Sequence, residues 1–457
     1  MKNTAQCCGT NQRWLVIAGV AGLSPEVEKL MIVQPIPVKL PALQPFRESA
    51  EARRLALVFA IVYFAQGMWY LPNLSITFLL KDTFGLSAAQ TATFFSITVI
   101  PWLVKPVYGL ISDFVPLFGQ RRRSYFILTS GMAAAMGLAL TLMGTYTYWG
   151  VAIFFTLMGL GLAFTDVLTD ALMVENGQRL GLTGPFQAVQ WAAISFASIL
   201  VGVGGGWLAE HKFLSITFLI ATVFPVITLA MAIFLIKEPR VQTGERQFRE
   251  SWNAIRGAIG SRTFWIVAGF IFFFNFSPSF GPALVYYATD TLQFSKLFLG
   301  TLDSVTYASG IVGTALYFAF SKSFSFKRLI HFAIAAGVMA TLAYLAYRDQ
   351  TSALVLSLIF GVVAMIIQLT FLDLAARACP KQAEATFFAF LMSVYNGAAQ
   401  LSQITGGWLY DQVGFARLIF ISAAFTALCW LLVPLLKLDE LQPVQKDRPS
   451  ASPAPVA

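Results

Sequence analysis

The chain has 457 residues, 57% of them hydrophobic and 12% charged, with a formal net charge of +9 and a mean hydropathy of +0.70. Soluble proteins carry roughly 25% charged residues, whereas the apolar residues here fall in runs of about 20, the length that crosses a hydrocarbon core of about 30 Å. Composition therefore excludes a soluble globular domain, and the basic excess sits in short loops between apolar runs, where membrane orientation rather than nucleic acid explains it.

In chain order, residues 1–50 read as a disordered tail. The apolar stretch "WLVIAGVAGL" is too short to span and has no clean cleavage site after it. Cys7 and Cys8 fit either a lipidation site or a loose tail. Apolar runs near 55–80, 88–113, 125–145, 149–174, 185–209 and 213–236 follow, within a first half of 51–236. The polar interval 237–262 reads as a linker with a surface-lying helix that turns Phe248, Trp252 and Ile255 toward lipid. A second half, 263–437, holds runs near 264–288, 297–320, 329–347, 352–376, 384–409 and 415–436, and residues 438–457 form a disordered tail. Loops after even-numbered runs hold 15 Lys and Arg against five after odd-numbered runs. That bias places both termini and the linker in the cytoplasm, and the expected location is the cell inner (plasma) membrane, as a multi-pass protein.

The two groups of runs echo each other. "DTFGLS" (Asp82–Ser87) matches "DTLQFS" (Asp290–Ser295), "GGWL" closes the fifth run (Gly205–Leu208) and the eleventh (Gly406–Leu409), and Asp170 corresponds to Asp373. Three matches in order predict an all-α membrane protein of twelve transmembrane helices. Two six-helix halves around a central cavity are the major facilitator plan.

One stretch carries a more specific signal. "PWLVKPVYGLISD" (Pro101–Asp113) with "GQRRRSY" (Gly119–Tyr125) and "DVLTDALMVE" (Asp166–Glu175) resembles the signature of the folate–biopterin transporter family, a major facilitator branch of cyanobacterial and plastid type. The resemblance implies transport of folates or related pterins coupled to protons, by a chain with no cofactor and no metal. The expected partners are the folate or pterin, protons and the bilayer, with no nucleic acid, and the expected state is a monomer. The general superfamily loop is G-x-x-x-D-x-x-G followed by basic residues. Gly109 and Asp113 fit it, but five residues separate Asp113 from Gly119, and Ser321 takes the place of Asp113 in the second half. A gate latch of this type is thus expected in the first half, from Gly109, Asp113, Arg121, Arg122, Arg123 and Glu175, with membrane anchoring as the plainer role for the arginines.

The candidate substrate site starts from Lys105, eight residues from Asp113 and so about 12 Å deeper along a helix. It either snorkels to the near interface or is paid for by a carboxylate or an anionic ligand. Asp166 has a comparable depth in the fourth run, and Asp170 lies one turn nearer the cytoplasm, about 40° around the helix, so both can face one cavity. In the second half Asp303 precedes Tyr307 by one turn, while Asp373 has Arg377 one turn away and reads as an intrahelical ion pair. "NFSPSFGP" (Asn275–Pro282) must break the seventh helix, and backbone freed at such breaks often binds ligand. Gln66, Gln187, Gln190, Asn396, Gln400 and Gln403 supply uncharged hydrogen-bonding groups, for substrate or between helices. His211 and His331 lie at helix ends and the four cysteines lack metal or disulfide spacing, which tells against an intramembrane acyltransferase or metalloenzyme. A transporter or exporter of another organic anion, or a receptor on the same fold, stays open.

Overall fold

The computed structural model describes residues 49–180, 182–236, 238, 260, 262–321, 324–378 and 384–436, and these are helical with no strand. Apart from Ser49, Ala50, Glu238, Gly260 and Arg262, the expected tails and the lipid-facing helix of 237–262 lie outside the described residues. Helix α1 (Ala50–Met68) begins where Ser49 Oγ accepts the Ala52 N–H at 3.2 Å, which satisfies one of the orphan donors of a first turn. Helix α2 (Asn73–Phe78) and a π turn (Leu79–Thr83) continue it. Helix α3 (Ala88–Leu103) opens with a capping box between Ser87 and Gln90. Then come α4 (Lys105–Phe114), α5 (Arg123–Thr141), α6 (Tyr148–Leu180), α7 (Thr183–Glu210) and α8 (Leu214–Phe234). After the linker run α9 (Arg262–Asn275), α10 (Gly281–Asp290), α11 (Lys296–Ser321), α12 (Phe326–Ala343), α13 (Gln350–Ala378), α14 (Glu384–Val413) and α15 (Phe415–Leu432).

Nine stretches among the described residues are long and apolar enough to cross a membrane. Large apolar side chains such as Leu57, Trp149, Phe196, Phe234 and Met339 stand exposed on them, a surface that lipid rather than water covers.

Two breaks matter for the site. Pro106 has no N–H to give and its ring crowds the carbonyl one turn back. The helix accordingly stops at Leu103, passes Val104 at φ −101° and ψ 13°, and restarts with Lys105 as its first residue. The second break separates α9 from α10 around Pro278, as the prolines predict. Part of the backbone it frees is tied within the later helices, and Ser277, Pro278, Ser279 and Phe280 of the break line a cavity of about 420 Å³. Ser402 Oγ donates to the Ser277 carbonyl, Ser422 Oγ donates to the Pro278 carbonyl at 2.5 Å, and the Ser279 N–H donates to the Ser402 carbonyl at 3.2 Å.

The earlier helices meet the later ones along two close seams, α7 on α11 and α3 on α14. In the first, a Cβ placed on Gly300 would lie 2.1 Å from the Gly202 carbonyl oxygen, and one on Gly206 would lie 2.9 Å from the Lys296 oxygen. Small residues one turn apart let the backbones approach in this way. Ser304 Oγ adds a polar tie, accepting the Val203 N–H at 2.8 Å and donating to the Ile199 carbonyl at 2.6 Å. In the second seam, Gly407 abuts the Ala88 carbonyl, where a Cβ would come within 3.0 Å. Gly206 and Gly407 are matching positions of the two "GGWL" copies. The repeat thus marks both seams.

Candidate functional site

The break at Val104 delivers Lys105 to the flank of α6, where its Nζ pairs with Asp166 Oδ2. Asp166 is 2% exposed, and its Oδ1 is sealed with no hydrogen-bond partner among the described residues. Gly109 on α4 faces α6 at Val167, where a Cβ would make ordinary contact at 3.7 Å. One turn along α6, Asp170 Oδ1 accepts the hydroxyl of Tyr63 from α1 and, at 3.4 Å, the amide of Gln190 from α7. Two carboxylates, one ammonium, a phenol and an amide therefore converge from α1, α4, α6 and α7. Gln66 is buried nearby on α1, with its Oε1 unpartnered among the described residues.

Across the bundle, a cavity of about 310 Å³ is lined by both sets of helices: Tyr70, Asn73 and Phe95 from the earlier set, Asp303, Tyr307 and Gln400 from the later. Asp303 faces it without a side-chain partner among the described residues, and Tyr307 is half exposed to it. Tyr70 joins this cavity to the ionic cluster, since it lies within electrostatic reach of both Lys105 and Asp166.

The other expected site residues lie elsewhere. Asn275 donates to its own helix at the Ile271 carbonyl, 2.8 Å away, and lines a second cavity of about 420 Å³ among α9, α12, α13 and α14. Asn396 is half-buried on α14 and lines neither cavity. Asp373 is held by Arg377 at 3.0 Å, as its spacing predicts.

At the arginine end, the Arg122 guanidinium donates to Ser112 Oγ at 2.7 Å and to Glu175 at 2.9 Å. Arg123 reaches the Ile233 carbonyl at 2.9 Å, and Glu238 accepts the backbone N–H groups of Arg121, Arg122 and Arg123 at 2.8–3.0 Å. These partners all precede residue 239. The Asp113 side chain lies outside the described residues.

Bridges between the two sets occur at the opposite end. Lys81 pairs with Asp290 and donates to Thr289 Oγ1 at 2.6 Å, and Lys296 pairs with Asp82 at 2.9 Å. Glu210 accepts the N–H of Lys296 at 2.7 Å, Asp411 accepts that of Ala89 at 3.2 Å, and Tyr286 donates to the Leu86 carbonyl at 2.6 Å. The matched segments Asp82–Ser87 and Asp290–Ser295 were the available signal, because both ion pairs use their first residues.

A multi-pass helical bundle with a buried ion pair and an internal cavity lined by both sets of helices fits a membrane transporter. The fold is that of a D-xylose–proton symporter (TM-score 0.67, 15% identity, 85% of this chain and 99% of that one) and of a nucleoside transporter (TM-score 0.63, 14% identity, 85% and 100%). The BT1 family profile matches residues 66–439, and the chain belongs to that family. A folate-biopterin transporter of Synechocystis sp. is 34% identical over 406 residues, covering 84% of this chain and 80% of its own. A probable folate-biopterin transporter 4 of Arabidopsis thaliana is 23% identical, covering 78% and 88%, and folate transporter 2 of Plasmodium falciparum 26% identical, covering 84% and 88%. The chain is a membrane transport protein and not an enzyme.

Proposed function

We propose that this protein moves folates or closely related pterins across the plasma membrane by proton symport with alternating access. It does so as a monomer of twelve spans in two six-helix halves, with both termini cytoplasmic. The observation that carries the reading is the pair of Lys105 with a sealed Asp166 beside a cavity that Asp303 faces. A monoglutamyl folate has two carboxylates and a pterin ring with an amine next to a ring N–H. In a low-dielectric site a carboxylate needs a cation, and Lys105 is the cation at hand once Asp166 releases it. The pterin donor pair suits a carboxylate that accepts at two points. Of the candidates for that task, Asp303 has free oxygens in the cavity, whereas Asp166 is sealed and paired.

Energetics favour proton coupling. Each charge moved against 100 mV costs about 2.3 kcal/mol, so import of a dianion costs about twice that, and co-transported protons cancel the term. The closed contacts among Lys81, Asp82, Asp290 and Lys296 fit a conformer shut at the end away from the arginines. The test is uptake of labelled folate into vesicles bearing the protein, with and without an imposed inward proton gradient. Accumulation that needs the gradient supports symport. Accumulation of another organic anion, with folate neither carried nor competing, contradicts the substrate class.

A further inference from the structure

Resting on the proton-coupled reading above, we infer that the two carboxylates of α6 divide the work: Asp166 stays ionised as the partner of Lys105, and Asp170 is the group that takes up the proton, held for that purpose by Tyr63. Counting charges sets the problem. With both carboxylates ionised, the cluster holds two negative charges against the one positive charge of Lys105, and a lone buried charge is costly. One proton removes the excess.

Geometry decides where it goes. Asp166 is 2% exposed, its Oδ2 is in the ion pair and its Oδ1 is closed off from solvent in this conformer. Asp170 is only half-buried, and its described partners are neutral donors, the Tyr63 hydroxyl and the Gln190 amide. Both address Oδ1, which leaves Oδ2 to accept the proton from a hydronium ion on one side and return it to water on the other. No other bond changes. The groups facing Asp170 are Tyr63 from α1, Lys105 from α4, Gln190 from α7 and Asp166 on its own helix. On α5, Thr129 bonds Thr165 and Tyr125 donates to the Val115 carbonyl. The next charge along α6 is Glu175, which pairs with Arg122 at the start of α5.

The consequence is linkage. When the substrate carboxylate takes Lys105, Asp166 loses its countercharge, and a neutral Asp170 lessens the repulsion this creates. Proton and anion therefore favour each other's binding, and reciprocally so. Tyr63 is a positioning residue: its hydroxyl donates to the ionised carboxylate, so removing it makes Asp170 hold its proton more tightly.

The full chain in liposomes tests this in two ways. Infrared difference spectra between acid and neutral pH, taken without substrate, should show a carboxylic-acid carbonyl band that Asp170→Asn abolishes. Tyr63→Phe should keep the band and move its midpoint upward by about one pH unit, the size of a hydrogen bond to a charged group. In folate exchange, Asp170→Asn should flatten the pH profile and Tyr63→Phe should shift it by the same amount. A band that survives Asp170→Asn, or a midpoint that Tyr63→Phe leaves in place, overturns the assignment. A wild-type protein with the expected band but no folate exchange supports the proton site and sinks the folate reading instead.

Discussion

Asp166 is 2% exposed and Oδ1 has no partner among the described residues, so its charge leans on Lys105. Removing one member of a buried ion pair costs about 3–5 kcal/mol, because the other charge is stranded. The Lys105 side chain is 22% exposed, which argues for the lower end of that range. Lys105→Ala should therefore lower the thermal midpoint of the purified protein, and adding Asp166→Asn should restore most of the loss. A double variant as unstable as the single one would show that the pair does not carry this energy. Lys105, Asp166, Asp170 and Asp303 stand out in the sequence because an ionisable residue in an apolar run has a cost that something must offset, and the Lys105–Asp166 pair is one such offset. Tyr63 does not stand out, since a tyrosine among phenylalanines reads as packing until Asp170 is seen to meet its hydroxyl. Asn275, polar and beside a helix break, donates its amide to its own helix while lining the cavity at that break.

Helix positions follow from apolar length and proline placement, and the restart at Lys105 and the stop at Asn275 follow the same rules. What each helix packs against depends on contacts hundreds of residues apart, which periodicity does not encode. The seam glycines show the limit: "GGWL" is visible as a repeat, but its role at α7–α11 and α3–α14 appears only in three dimensions. Gly300→Leu should prevent that approach, since even a Cβ would stand 2.1 Å from the Gly202 oxygen. The expected result is a sharp loss of monodisperse protein on size exclusion, against little change for Gly269→Ala, where a Cβ meets nothing within 4 Å. The latch at the far end makes a second prediction. Cysteines at Lys81 and Asp290, in a background lacking the native four, should cross-link under oxidant and halt transport, with recovery on reduction. Uptake that continues in the cross-linked protein would mean that this end need not open.

At the scale of the whole molecule, the proposed orientation rests on the basic bias between alternate loops, and the two rims show different contacts. Ser112, Glu175, Ile233 and Glu238, which meet Arg121–Arg123, all precede residue 239, while Lys81, Asp82, Asp290 and Lys296 join the earlier helices to the later ones. A single cysteine at residue 250 should be shielded from impermeant reagents added to intact cells, and labelling from outside would invert the proposed topology. Whether the protein is a folate symporter turns on the lysine inside the bilayer. The most direct measurement is the half-saturation concentration for labelled folate in sealed vesicles, wild type beside Lys105→Ala, at matched protein content and with an inward proton gradient. Loss of saturable uptake in Lys105→Ala, with the variant still in the membrane, is the predicted result. An unchanged half-saturation concentration would contradict it, leaving Lys105 as a side chain that only snorkels to the interface.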